Sequence, residues 1–163
     1  MPPTPPRDGK ELFGNERAFP GAPVRSLKPA EALVAIFVLA AAADGKIVEE
    51  EKWALSANRV RMFKSYSGEQ FKELFSQVLK LIEQHSSPAV FAAAKKALTP
   101  KQRQTAFAIA ADLILADAVF TKEEKQFMIQ LWHALEIPDE IGEKIIEVMN
   151  IKNFVWEEGE PVG

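Results

Sequence analysis

From residue 29 onward, apolar side chains recur at helical spacing, and no stretch alternates in the manner of a strand. Pro29 suits the first position of a helix running to about Ala43, apolar on every side apart from Glu31. A second helix follows the glutamates at 49–51 and continues to about Tyr66, with Trp53, Ala57, Val60 and Phe63 along one face. Ser67-Gly68-Glu69-Gln70 has the spacing of a capping box. Behind it, Phe71, Leu74, Phe75, Val78, Leu79 and Ile82 predict a third helix to about His85. Ser87-Pro88 opens a short fourth helix to about Leu98, and Thr99-Pro100-Lys101-Gln102 caps a fifth that ends near Ala116. Thr121-Lys122-Glu123-Glu124 caps a sixth, to about Glu136. Pro138 starts a seventh, with Ile141, Ile145, Val148 and Met149 as its predicted buried stripe. The class is all-α, with about seven helices.

Sliding the sequence on itself by 73 residues brings Leu33–Leu55 onto Ala106–Met128 without a gap, with seven of the twenty-three positions identical. The matches are Ala35/Ala108, Ile36/Ile109, Ala43/Ala116, Asp44/Asp117, Glu50/Glu123, Glu51/Glu124 and Lys52/Lys125. Each half has an apolar helix, an Asp at its end, a short turn with an apolar residue (Ile47, Phe120), and a helix opening on paired glutamates. The two apolar helices, 29–43 and 100–116, are satisfied only by packing at the centre, where their alanines allow close approach. This predicts one domain over 29–150, built of two three-helix units (29–86 and 100–149) about a pseudo-two-fold axis, with 88–98 as connector. Residues 1–28, rich in proline, glycine and arginine, read as an extended arm. Leu12, Phe13, Phe19 and Val24 are apolar enough to dock it on the body. Residues 151–163 read as an acidic tail in which Trp156 is a candidate docking residue.

Composition narrows the function. A net charge of −3 gives no general attraction to nucleic acid or an anionic membrane. The longest apolar run, Ala30 to Ala43, falls short of the roughly 18–20 residues that span a bilayer, so no membrane insertion is expected. The first residues, Met1-Pro2-Pro3-Thr4-Pro5-Pro6, lack the apolar core of a signal peptide. Cysteine is absent, which removes thiolate metal sites and thiol redox chemistry and fits a cytoplasmic location.

The chemistry lies in Asp44-Gly45-Lys46-Ile47-Val48-Glu49-Glu50-Glu51 and its echo Asp117-Ala118-Val119-Phe120-Thr121-Lys122-Glu123-Glu124. An Asp at a helix C-terminus faces the negative end of the helix dipole, a cost of about 0.3–1 kcal/mol. Two readings account for its recurrence. In the local one, the Asp accepts backbone N–H bonds in the turn, and the glutamates favour the start of the next helix. Thr121 and Glu124 fit this as a capping box, whereas Val48 cannot reciprocate with Glu51. In the other, Asp44, Glu51, Asp117 and Glu124 converge, with Asp112 a turn behind. Two carboxylates about 5 Å apart repel by about 3 kcal/mol at an effective dielectric near 20, and a hard cation relieves this. Calcium suits such a site better than zinc, because only His85 and His133 supply nitrogen. An EF-hand is excluded, since Ala40 and Ala42 stand where acidic ligands should open the loop.

An apolar, alanine-rich helix followed by Ala-Asp-Gly-Lys-Ile, with a Glu seven residues after the Asp and the whole duplicated over about 28–150, resembles the TerB-like tellurite-resistance family. The resemblance implies a seven-helix pseudo-symmetric fold and an acidic surface able to take up divalent cations. It also implies a cytoplasmic, non-catalytic role in tellurite or general stress response through contacts with other stress-response proteins. Carried over residue by residue, the family's acidic positions are Asp44, Glu51, Asp112, Asp117 and Glu124. Ala118 departs from the glycine of the second Asp-Gly, and Lys122 adds a positive charge beside the second cluster. The competing enzyme reading is a carboxylate-based, metal-dependent hydrolase, for which no nucleophile–base pair or phosphate-binding loop is present. A third places the arm on a second subunit, making a homodimer. His85, His133 and Trp132 read as core or capping residues, and Lys95, Lys96, Lys101 and Arg103 as a solvated face.

Overall fold

A computed structural model describes residues 24–45, 61–116 and 120–154. Among these residues there are six α-helices and no strand: α1 (Pro29–Ala43), α2 (Gly68–Gln84), α3 (Ser87–Ala97), α4 (Pro100–Ile114), α5 (Lys122–Ala134) and α6 (Asp139–Lys152). The second helix expected from the sequence lies almost wholly outside the described residues, which include only its helical end at 61 and 62. The candidate arm residues Leu12, Phe13 and Phe19, with Trp53 and Trp156, also lie outside them.

The caps set the helix starts. Ser67 Oγ accepts the Gln70 N–H at 3.1 Å while Gln70 Oε1 accepts the Ser67 N–H at 2.9 Å, and Thr99 and Gln102 repeat the exchange at 3.2 and 3.0 Å. Ser86 Oγ caps α3 through the Ala89 N–H. Each such cap contributes about 1 kcal/mol.

The two apolar helices pack against each other, as their composition requires. α1 touches α2, α3 and α4, and α4 touches α1, α5 and α6. Val34, Ile36 and Phe37 of α1 meet a common core with Phe71 and Val78 of α2, Val90 of α3, and Phe107 and Ile114 of α4. The segment 88–98, expected as a connector, forms the most extensive contact that α1 makes. α4 is less uniformly apolar than α1: its buried residues begin at Ala106, and its first turns reach solvent.

The one charge within the α1 run is buried. Glu31 turns back to accept the Lys28 N–H at 3.0 Å. It also accepts two bonds from the Arg25 guanidinium, at 3.0 and 2.6 Å. Its side chain is 5% exposed, whereas that of Arg25 is 50% exposed. The Arg25 hydrogen bonds hold the Glu31 carboxyl below its ordinary value of 4.5, against the opposing effect of burial. Val24 and Leu27 pack on the core.

The predicted stripe on the last helix holds at Ile141, Ile145 and Met149, which pack against the core, and fails at Val148. Gly142 and Ile146 are buried, Ile141, Ile145 and Met149 are half-buried, and Val148 is 56% exposed. Gly142 is buried against Trp132 at the end of α5, whose indole lies directly over it. A Cβ on Gly142 would fall 2.6 Å from Trp132 Cε3 and closer still to Cδ2. Trp132 also meets Phe107 edge to face, with ring centroids 6.0 Å apart.

Two outcomes follow. Gly142→Ala gains about 1 kcal/mol of helix propensity but overpacks Trp132, for a net loss of about 1–2 kcal/mol in urea unfolding. Unchanged or greater stability would mean that the indole can move aside. Arg25→Met strands the Glu31 carboxylate and costs about 1–2 kcal/mol near pH 7, moderated by the exposure of Arg25. Because the folded-state value of Glu31 is depressed, this stabilisation is present above about 4.5 and fades as pH falls through the folded value. The difference between wild type and variant should therefore shrink near pH 3. A difference independent of pH would refute the ion-pair account.

Candidate functional site

Three of the five acidic positions, Asp44, Asp112 and Glu124, are among the described residues; Glu51 and Asp117 lie outside them. Asp44 is the C-cap of α1, half-buried, and its N–H reaches Ala40 O at 3.1 Å. Gly45 follows with φ +80° and bonds Ala42 O at 3.0 Å, which closes the helix in the left-handed conformation that glycine adopts without strain. The Asp-Gly pair thus has a geometric basis: Gly45 ends the helix and leaves Asp44 at its rim. The corresponding Ala118 lies outside the described residues.

Glu124 opens α5. Thr121 Oγ1 accepts its N–H at 3.0 Å, the first half of the capping box expected there. The reciprocal bond that completes the boxes at Ser67 and Thr99 is not made at Thr121. The Oε2 atom of Glu124 is shielded from solvent, so its carboxyl group is drawn inward. Asp44 and Glu124 each take part in further electrostatic or hydrogen-bonding contacts.

Asp112 has a different task. Its Oδ1 accepts Lys152 Nζ at 3.0 Å and Asn153 Nδ2 at 3.1 Å, and Asn153 Nδ2 also reaches the Asp112 carbonyl at 3.3 Å. These bonds tie the end of α4 to the end of α6. A cation using this oxygen would first have to displace an ammonium group. Among the described residues, no three His, Asp or Glu side chains gather into a metal-holding group. Oxygen donors at Asp44 and Glu124 fit a hard cation in chemistry, while Asp112 is engaged as a structural tie.

Several polar residues carry more than the sequence suggested. His133 is exposed, and its Nε2 lies 2.7 Å from Asp139 Oδ1, the same oxygen that accepts the Trp132 indole N–H at 2.8 Å. The Trp132 bond first, and His133 second, hold the Asp139 carboxyl below its ordinary value. Arg103, expected on a solvated face, instead donates through Nε to Lys95 O at 3.0 Å and pairs with Glu136 at 3.1 Å. Glu136 has φ 57°, and its N–H and that of Ile137 bond back to His133 O and Trp132 O, a left-handed helix end with Glu where glycine is usual. His85 caps α2 through its own N–H to Leu81 O.

A cleft of about 280 Å³ opens between Lys28 and Glu31 on one side and Tyr66, Gln70, Glu73 and Gln77 on the other. It lies at the start of α1, about 20 Å along the helix from Asp44. No described helix is long and apolar enough to cross a membrane.

Comparison with curated proteins and with solved structures gives no match. The family described as Tellurite resistance protein TerB matches residues 30–145, from the first turn of α1 into α6, and so spans both acidic segments. The chain belongs to the TerB family of tellurite-resistance proteins.

Proposed function

We propose that this chain is a non-catalytic member of its family, acting in the cytoplasm in tellurite or general stress response through contacts with other proteins. In this reading Asp44, Glu51, Asp117 and Glu124 form a divalent-cation site that conditions those contacts. Calcium is favoured, because the donors are hard carboxylate oxygens and the chain has no thiolate. The observation that carries the proposal is the family match itself, whose extent takes in both copies of the Asp–Glu segment.

Three features support it. Glu124 turns a carboxylate oxygen inward beside its Thr121 cap, a hard donor of the kind a divalent cation takes. Asp44 and the described cleft stand at opposite ends of α1, so that cleft does not supply a substrate pocket beside the acids. A chain without cysteine has no thiol with which to reduce tellurite, and carboxylates repel an oxyanion. Binding, rather than chemistry on tellurium, therefore fits these residues.

Calcium titration followed by calorimetry tests the site. Asp44→Asn combined with Asp117→Asn should weaken uptake at least roughly tenfold, the loss of two anionic ligands. Asp112→Asn, by contrast, should leave uptake nearly unchanged and lower stability by about 0.5–1 kcal/mol through its bond to Lys152. Equal binding by wild type and the double variant would remove the cation from the proposal and leave the capping reading.

A further inference from the structure

The last helix ends in a row of exposed apolar side chains. Val148, Ile151 and Phe154 are 56%, 69% and 61% exposed, at three-residue steps along the end of α6 and just past it. Residues three and four apart on a helix are surface neighbours, so Glu143 and Glu147 continue the row of Ile151 toward the N-terminus. Both glutamates are exposed.

The charge on this face is unbalanced. Its lysines are already engaged, Lys144 by Glu140 at 3.0 Å and Lys152 by Asp112 at 3.0 Å. Among the described residues, neither Glu143 nor Glu147 has a cationic partner. Apolar side chains bordered by uncompensated carboxylates select a partner that is apolar on one side and positive beside it. A second copy of this chain would set acidic borders against each other, and an anionic lipid surface would be repelled.

We propose that the C-terminal end of α6 docks a cationic amphipathic helical segment of another protein. This rests on the reading that the chain works through protein contacts, but it does not require the cation. The patch is small, so the contact is a weak, reversible one.

The probe is a labelled helical peptide of leucine and lysine, roughly 18 residues or five turns long, with a leucine–glutamate peptide of the same pattern as control. Fluorescence anisotropy should detect binding of the lysine peptide and none of the glutamate peptide. Val148→Ser with Ile151→Ser should weaken binding at least roughly tenfold. Glu143→Gln with Glu147→Gln should weaken it about threefold at low salt, with the difference vanishing at high salt. All four sites are exposed, and thermal melts by circular dichroism establish that the variants fold. Equal binding of both peptides, or unchanged binding by the serine variant, overturns the proposal. So does sedimentation showing a dimer that the serine substitutions dissolve, or binding to anionic vesicles that they abolish. No binding of the lysine peptide by the wild-type protein, with its calcium uptake intact, would refute this surface while leaving the acidic-loop reading standing.

Discussion

An α-helix with apolar residues on every side cannot be stable in water, and α1 is such a helix. From Ala32 to Ala41 almost every side chain is buried, and the helix is covered by α2, α3 and α4. Alanines at 32, 35, 40 and 41 keep its girth small enough for neighbours on several sides. A burial of this kind contributes roughly 1.5–3 kcal/mol for each large apolar side chain, so the helix is the main source of the domain's cohesion. The same burial makes its one carboxylate expensive, and Arg25 with the Lys28 N–H offsets that cost from the preceding segment.

The fold class and the helix starts were legible because they depend on local chemistry. Ser67–Gln70 makes its predicted reciprocal bonds, Thr99 caps the helix it was expected to cap, and Pro29 and Pro100 stand at the first helical positions. What sequence reading missed was set by tertiary neighbours. On α6 the periodicity count found Ile141, Ile145 and Met149 but passed over Gly142, where the Trp132 indole leaves no room for a side chain. Arg103 looks like one more surface cation until the end of α3 and Glu136 are brought to it. Glu31 at the third helical position did hold a local signal, since a glutamate there can bond back to the start of the helix.

The acidic positions were legible as a pattern but divide when placed in space. Asp112 stood near the others in sequence, yet its side chain faces α6 and joins Lys152 and Asn153 across some forty residues of chain, a pairing that no spacing rule encodes. Asp44 sits where Gly45 ends α1, and Glu124 where Thr121 starts α5. Helix ends are the places at which a packed bundle must leave polar groups near solvent, and they are where charge is tolerated at low cost.

That division separates what holds the molecule together from what it presents. Three carboxylates that touch a cation of the chain itself, Glu31, Asp112 and Glu136, join segments distant in sequence or anchor a segment to the body, while Glu140 pairs only within its own helix. Those at Glu143 and Glu147 join nothing within the described residues, although they share a helix with Gly142 and Ile146, which the core holds firmly. A rigid helix that carries uncompensated charge and exposed apolar side chains on its outer face is already ordered before any partner arrives. Little conformational entropy is then lost on that side, and a small surface of this kind can support a specific contact.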